Sequence, residues 1–306
     1  MVAGEAGPAT RYGRESAPAV APRPKRLVKV EKAGAGLGPK WAENMTFLEP
    51  DEAPPVDIVN PAGGADAVLL CDHASPLLPR RLGDLGLTAE QRLDHIGWDI
   101  GAAAVARRLS ALIDAPLILS GYSRLAIDCN RPAGVPTSIP AITGGIVVPG
   151  NQDLSPAEQA ARTEALFEPY HQAIRTLLDS RRKAGRRSVV MAVHSFTPNL
   201  GEPRPWQIGI TYGRDRRLAG ALIAHLRAHW PALQVGDNQP YAVTDSGDYA
   251  MPVYGEQRGN LHVLIEMRND GLRDEAGQAE WADRLAACWQ AIAPRLEALE
   301  RAPLSS

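Results

Sequence analysis

Polar residues able to do hydrolytic chemistry gather at four places in the chain. Asp72, His73, Ala74 and Ser75 follow the apolar run AVLLC (67–71). Cys129, Asn130 and Arg131 follow LAID (125–128). His194, Ser195, Phe196 and Thr197 follow SVVMAV (188–193), and Glu266, Arg268 and Asp270 lie within and after HVLI (262–265). Two histidines and a carboxylate are a usual ligand set for a catalytic zinc that keeps a fourth position for water. Such an ion brings the pKa of its water toward about 7. His73 and His194 are the candidate histidine ligands, and Asp99 in HIGWDIG (95–101) is the candidate carboxylate. Asp72 is set aside as a ligand because its side chain leaves the backbone in a different direction from its neighbour His73. Glu266 is the candidate general base, since a carboxylate at the end of an apolar strand needs a reason to be there. Arg124, Asn130 and Arg131 flank LAID, and an arginine fork matches a substrate carboxylate. Ser195 and Arg268 join them as candidate substrate-binding residues. Each also has a plainer reading: a hydrogen-bonded histidine at the core's rim, or Glu266 paired with Arg268.

These groups converge only if a fold brings the segments together. Strand-like runs at 67–71, 116–119, 188–193, 207–211 and 262–267 alternate with helical stretches at 88–113, 155–184, 216–228 and 275–299. LAID reads as one more short strand. Thr88 with Gln91, and Ser155 with Glu158, are capping boxes. Gly97 divides the first helical stretch, and Pro169 kinks or splits the second. Continuous apolar strands alternating with helices predict a three-layer α/β fold with a mostly parallel or mixed sheet and helices on both faces. Ligand sites in such sheets form beyond the carboxyl ends of the strands.

Composition narrows the function classes. Among 306 residues, 33 Lys and Arg stand against 35 Asp and Glu, so the net charge is −2. A nucleic-acid partner is not expected without a basic excess. No apolar run reaches membrane length, and the start of the chain lacks an apolar signal core, so no membrane partner is expected. Three cysteines, an odd number with no CxxC, fit a reducing compartment and a cytoplasmic location. GxxxxGK[ST] and GxSxG are both absent. Residues 1–54, rich in Ala, Pro, Gly and Lys, read as a flexible N-terminal tail whose cluster Arg23–Arg26 is solvated. Residues 55–306 read as one catalytic domain.

The ordered set LLCDHASPLLP (69–79), HIGWDIGA (95–102), SGYSRLAIDCNRP (120–132), AVHSFTP (192–198), DNQPY (237–241) and VLIEMRND (263–270) resembles the N-formylglutamate amidohydrolase family. The resemblance implies a phosphorylase/hydrolase-like fold, shared with zinc carboxypeptidases, and one Zn2+ per chain. It implies hydrolysis of an N-acyl amino acid such as N-formylglutamate, a small carboxylate-bearing substrate. His73, His194, Arg124, Asn130, Arg131 and Glu266 match the family's motifs. Two departures matter. Relatives with HxxE carry a glutamate where this chain has Pro76, and members of the histidine-degrading group have a histidine where it has Asp99. Asp99 gains weight as the third ligand, and the acyl group stays open. An amidase or peptidase acting on a peptide or cell-wall amide, and a non-catalytic binding relative, are the alternatives.

Overall fold

The computed structural model describes residues 47–304. Residues 1–46, with the basic cluster Arg23–Arg26, lie outside the described residues. The folded part begins ahead of residue 55, because Phe47 is buried in a cluster with Tyr122, Ile127 and Phe167.

The strands are β1 (Val56–Val59), β2 (Ala67–Cys71), β3 (Leu117–Ser120), β4 (Ile142–Thr143), β5 (Ile146–Val147), β6 (Val189–Phe196), β7 (Asn199–Leu200), β8 (Glu202–Pro203), β9 (Ile208–Thr211), β10 (Val235–Asp237) and β11 (His262–Arg268). The helices are α1 (Ala89–Leu93), α2 (Ala102–Ile113), α3 (Pro156–Arg162), α4 (Glu168–Lys183), α5 (Arg217–His229), α6 (Glu275–Ile292) and α7 (Leu296–Arg301). Seven strands make one sheet in the order β1-β3-β2-β6-β11-β9-β10. The central four, β3, β2, β6 and β11, run parallel. β1 joins antiparallel to β3, and β9 antiparallel to β11, so the sheet is mixed. β4 with β5, and β7 with β8, form two small ribbons apart from it.

Side chains alternate across a strand, and here both faces are covered. Leu69, Met191, Val193 and Ile265 pack with Leu109 of α2, Leu222 of α5 and Leu285 of α6. Leu70, Val190, Ala192 and Leu264 pack on the other face with Tyr170 and Ile174 of α4 and with Met251 and Tyr254 from a wide helical turn at Met251–Glu256. This double covering explains why β2 and β6 are buried at every residue and read as continuous apolar runs.

The expected three-layer architecture is present, and three details differ. LAID is a buried turn, not a strand: Ala126 N donates to Ser123 O, and Asp128 N to Ser138 O across the loop. β6 runs on to Phe196, so His194 and Ser195 lie inside the strand. The interruption expected at Pro169 falls just ahead of it: a π-helical turn at Thr163–Phe167 separates α3 from α4, and Pro169 stands in the first turn of α4. Both capping boxes form as expected.

His171 of α4 shows how the packing fixes a charge state. Its Nε2 lies 2.9 Å from the Cys129 carbonyl, which can only accept, so Nε2 carries the proton. Nδ1 then accepts from the Tyr254 hydroxyl at 2.9 Å. Burial pushes the His171 pKa from the usual 6.5 down to about 4. Above pH 6.5 the ring is neutral folded or unfolded. Between 6.5 and 4 only the unfolded chain takes up a proton, so stability falls with pH by on the order of 3 kcal/mol. Denaturant titrations between pH 7 and 4.5 are expected to show His171→Gln losing less stability over that window than the wild type. Parallel profiles would contradict this.

Candidate active site

The carboxyl ends of β2, β6 and β11 bring the sequence-nominated residues together. His73 is the second residue beyond β2. His194 and Glu266 are register partners on neighbouring parallel strands, with Gly209 of β9 on the other side of Glu266. Asp99 sits in the turn before α2, three residues ahead of the helix in which the sequence places it. The Asp99 N–H donates to the His73 carbonyl at 3.0 Å, and Ser123 Oγ donates to Gly97 O at 2.6 Å. Gly101 closes this turn at φ 80°, and a Cβ there would stand 2.4 Å from Leu272 Cβ, so both conformation and space demand glycine.

Three ligand atoms converge. His73 Nδ1 lies 3.3 Å and His194 Nδ1 2.9 Å from the same oxygen, Oδ2 of Asp99. His73, Asp99 and His194 can each offer an atom within 4.8 Å of the others, and all three are buried. Ligand atoms about 2.0–2.1 Å from a tetrahedral zinc stand roughly 3.3 Å apart, close to the spacing found. The far nitrogens are held as well: His73 Nε2 faces Asp128 Oδ1 at 2.7 Å, and His194 Nε2 faces Asp72 Oδ2 at 2.8 Å. A carboxylate behind each imidazole fixes the ring and raises its basicity, as metal-binding histidines require. Tyr170 donates to the other Asp72 oxygen at 2.8 Å. The donor set and its backing therefore fit a divalent cation.

Charge at the site is unusual for a buried place. Burial opposes ionisation of Asp99, yet the two imidazoles outweigh it and hold the carboxyl far below its usual range. Burial likewise opposes protonation of His194, and Asp72 and Asp99 together raise its pKa well above the ordinary value. Either a proton or a metal cation must therefore lie between His194 Nδ1 and Asp99. Glu266 behaves differently. Burial pushes its carboxyl up to about 7, and the charge on Asp99 adds to the rise while His194, His73 and Arg124 oppose it. Its Oε2 is buried without any hydrogen-bond partner. These groups open on a cavity of about 440 Å³, whose wall also includes Arg124, Asn130, Arg131, Ser195, Tyr241 and Asp248. That size suits a small molecule.

Several nominated residues are already engaged by protein groups. Arg124 bonds Asp128 at 2.7 Å and stands 3.6 Å from Asp99, while Arg131 bonds Asp248 at 3.2 Å. Both guanidinium groups thus already face acids. Asn130 accepts from the Tyr249 and Ala250 N–H groups and donates to Asp248, which ties down the loop across the cavity. Ser195 Oγ donates to the Ile100 carbonyl at 2.9 Å, and its N–H donates to Asp99 at 3.2 Å. Arg268 is off the cavity wall: it bonds Asp270 and the carbonyls of Arg204 and Pro205. Its Nη1 and Nε point along the loop rather than into the site because those carbonyls and Asp270 capture them. Sequence reasoning passed over Asp128 and excluded Asp72 as a ligand. The clue for both was adjacency: Asp72 touches His73 in the chain, and Asp128 lies two residues from Asn130.

The family model for N-formylglutamate amidohydrolase matches residues 65–273. The chain belongs to the N-formylglutamate amidohydrolase family. The gene product Atu2144 from Agrobacterium tumefaciens is 38% identical, with a TM-score of 0.79 over 82% of this chain and 99% of that one. The N-formylglutamate amidohydrolase from Ralstonia eutropha JMP134 is 19% identical and shares the fold, with a TM-score of 0.63 over 80% of this chain and 99% of that one. Among curated proteins nothing matches the chain.

If Asp72 and Asp128 set the basicity of the imidazoles in this amidohydrolase, Asp72→Asn and Asp128→Asn are each expected to weaken zinc binding by about 10–100-fold. Competition with a chelator of known affinity measures this, with a thermal melt to check the fold. Unchanged affinity in both folded variants would contradict the assignment.

Proposed function

We propose that this chain hydrolyses the amide bond of an N-acyl amino acid, with N-formylglutamate the first substrate to test. One zinc ion would be held by Nδ1 of His73, Nδ1 of His194 and the Asp99 carboxylate. The observation that carries this is the unpartnered Glu266 oxygen, buried at the strand next to two imidazoles whose far sides are braced by carboxylates. When bound, the ion supplies Lewis acidity, polarising an acyl oxygen and acidifying water.

The protein's own groups then divide the work. Glu266 Oε2 takes a proton from the attacking water and hands it to the departing nitrogen, a task suited to a carboxyl near pH 7. Arg124 Nη1, 3.3 Å from His73 Nδ1, places a fixed positive charge where the acyl oxygen gathers negative charge. Asp128 holds Arg124 and His73 together, so the two move as one. The three cysteines are buried and unpaired, which supports a cytoplasmic setting. No helix among the described residues is long and apolar enough to cross a membrane.

The test is metal content and turnover on the same preparation. Expected are about one zinc per chain, loss of N-formylglutamate hydrolysis on chelation and its return with zinc. Glu266→Gln is expected to keep its zinc and lose kcat by about 10²–10⁴-fold. Activity that survives chelation, or an undiminished Glu266→Gln enzyme, would overturn the proposal.

A further inference from the structure

Carboxylates outnumber cations around the cavity. Asp99, Asp248 and Glu266 line it, Asp128 lies behind His73, and Asp72 behind His194. Against these five stand Arg124 and Arg131, each already facing an aspartate. A divalent cation between the histidines still leaves the ionised set at −1. An anionic substrate therefore needs one more positive charge, and it needs one that no protein carboxylate already occupies.

Arg204 meets both conditions. It directly follows β8, the second strand of the small ribbon at the cavity mouth. Its guanidinium carbon lies 4.7 Å from the Tyr241 ring centroid and 5.8 Å from that of Phe196, and its Nη1 is 3.4 Å from the Thr197 carbonyl. Phe196, Thr197 and Tyr241 all line the cavity. Among the described residues no carboxylate is paired with Arg204. Its backbone is fixed at both ends: the N–H donates to Pro198 O at 2.8 Å, and the carbonyl accepts from Arg268 Nη1 at 3.1 Å. These contacts hold the guanidinium against the aromatic faces, and with no carboxylate on it the N–H groups that Thr197 and Tyr241 leave over can meet an anion.

We propose that Arg204 binds the substrate's carboxylate at the mouth of the cavity, braced by Tyr241 and Phe196, with Arg268 as the positioning residue behind it. This rests on the amide-hydrolase reading above, since it names which substrates that site accepts: those with a carboxylate placed away from the scissile amide. It also gives Arg268 a part in recognition, exerted through the Arg204 backbone.

The experiment compares wild type, Arg204→Ala and Arg204→Lys in the zinc-loaded full chain. N-formyl-L-glutamate is the charged substrate and its uncharged diamide the control. Calorimetric titration with L-glutamate measures binding apart from turnover. For Arg204→Ala the expected result is a KM about 10–100-fold higher on the charged substrate, with kcat within a factor of about 3. The diamide's kinetics are expected to be unchanged, and Arg204→Lys to recover only part of the loss. Equal losses on both substrates would mark a merely structural residue, and no change would remove Arg204 from recognition; either overturns the proposal. If the wild type hydrolyses neither compound, the hydrolase reading fails and the titration decides for Arg204. Weaker glutamate binding by Arg204→Ala supports the proposal, while equal affinity, or no binding to either protein, overturns it.

Discussion

Asp72, Asp99 and Asp128 are each no more than 4% exposed, and all three press on two imidazoles. Removing three carboxylates from water is costly, and the cost falls only when positive charge lies against each of them. Arg124 meets Asp128, and the imidazoles meet the rest. The charge state of the two rings is then not free. With Nε2 of each ring against one carboxylate and Nδ1 against Asp99, both nitrogens of a ring must face a cation or carry a proton. A metal ion on Nδ1 would satisfy Asp99 and let Nε2–H serve the outer aspartates. The affinity of this place for a cation is thus set by the same groups that would be intolerable without one.

Much of the surrounding structure holds that cluster still. Tyr170 reaches from α4 to Asp72, and Ser120 Oγ at the end of β3 bonds the Asp72 carbonyl at 2.6 Å. Ser123 and Gly101 shape the turn that presents Asp99. Gly209 lets the chain pass closely behind Glu266, since a Cβ there would stand 1.8 Å from the Gln239 carbonyl oxygen. These contacts explain why the motif segments are scattered through the chain: each belongs to a different element whose end abuts the same few ångströms of space. The loop carrying Tyr241 adds a further wall to the cavity.

The layered fold was legible because strands buried on both faces leave unbroken apolar runs, and those runs are plain at β2, β6 and β11. His73, His194, Asp99 and Glu266 were legible because polar residues at the ends of such runs need a reason. What could not be read was direction. Asp72 turns from His73 to meet His194 across the strands, a pairing that exists only because β2 and β6 are neighbours. LAID has a strand's composition, but Ser123 and Ser138 bend it into a turn. β1 and β10 are edge strands of only four and three residues, so their sequences carry little signal. Arg124 and Arg131 were identifiable as cations of the site; of the acids that occupy them, Asp128 lies in the same turn, four residues from Arg124, while Asp248 comes from a distant loop.

The central claim is that Nδ1 of both histidines, and not Nε2, faces a shared metal ion. Anomalous diffraction at the zinc edge from crystals of the zinc-loaded protein tests it most directly. The account predicts one strong peak about 2.0–2.2 Å from Nδ1 of His73, Nδ1 of His194 and an Asp99 oxygen. A peak bound through Nε2, or zinc found only elsewhere on the molecule, would contradict it.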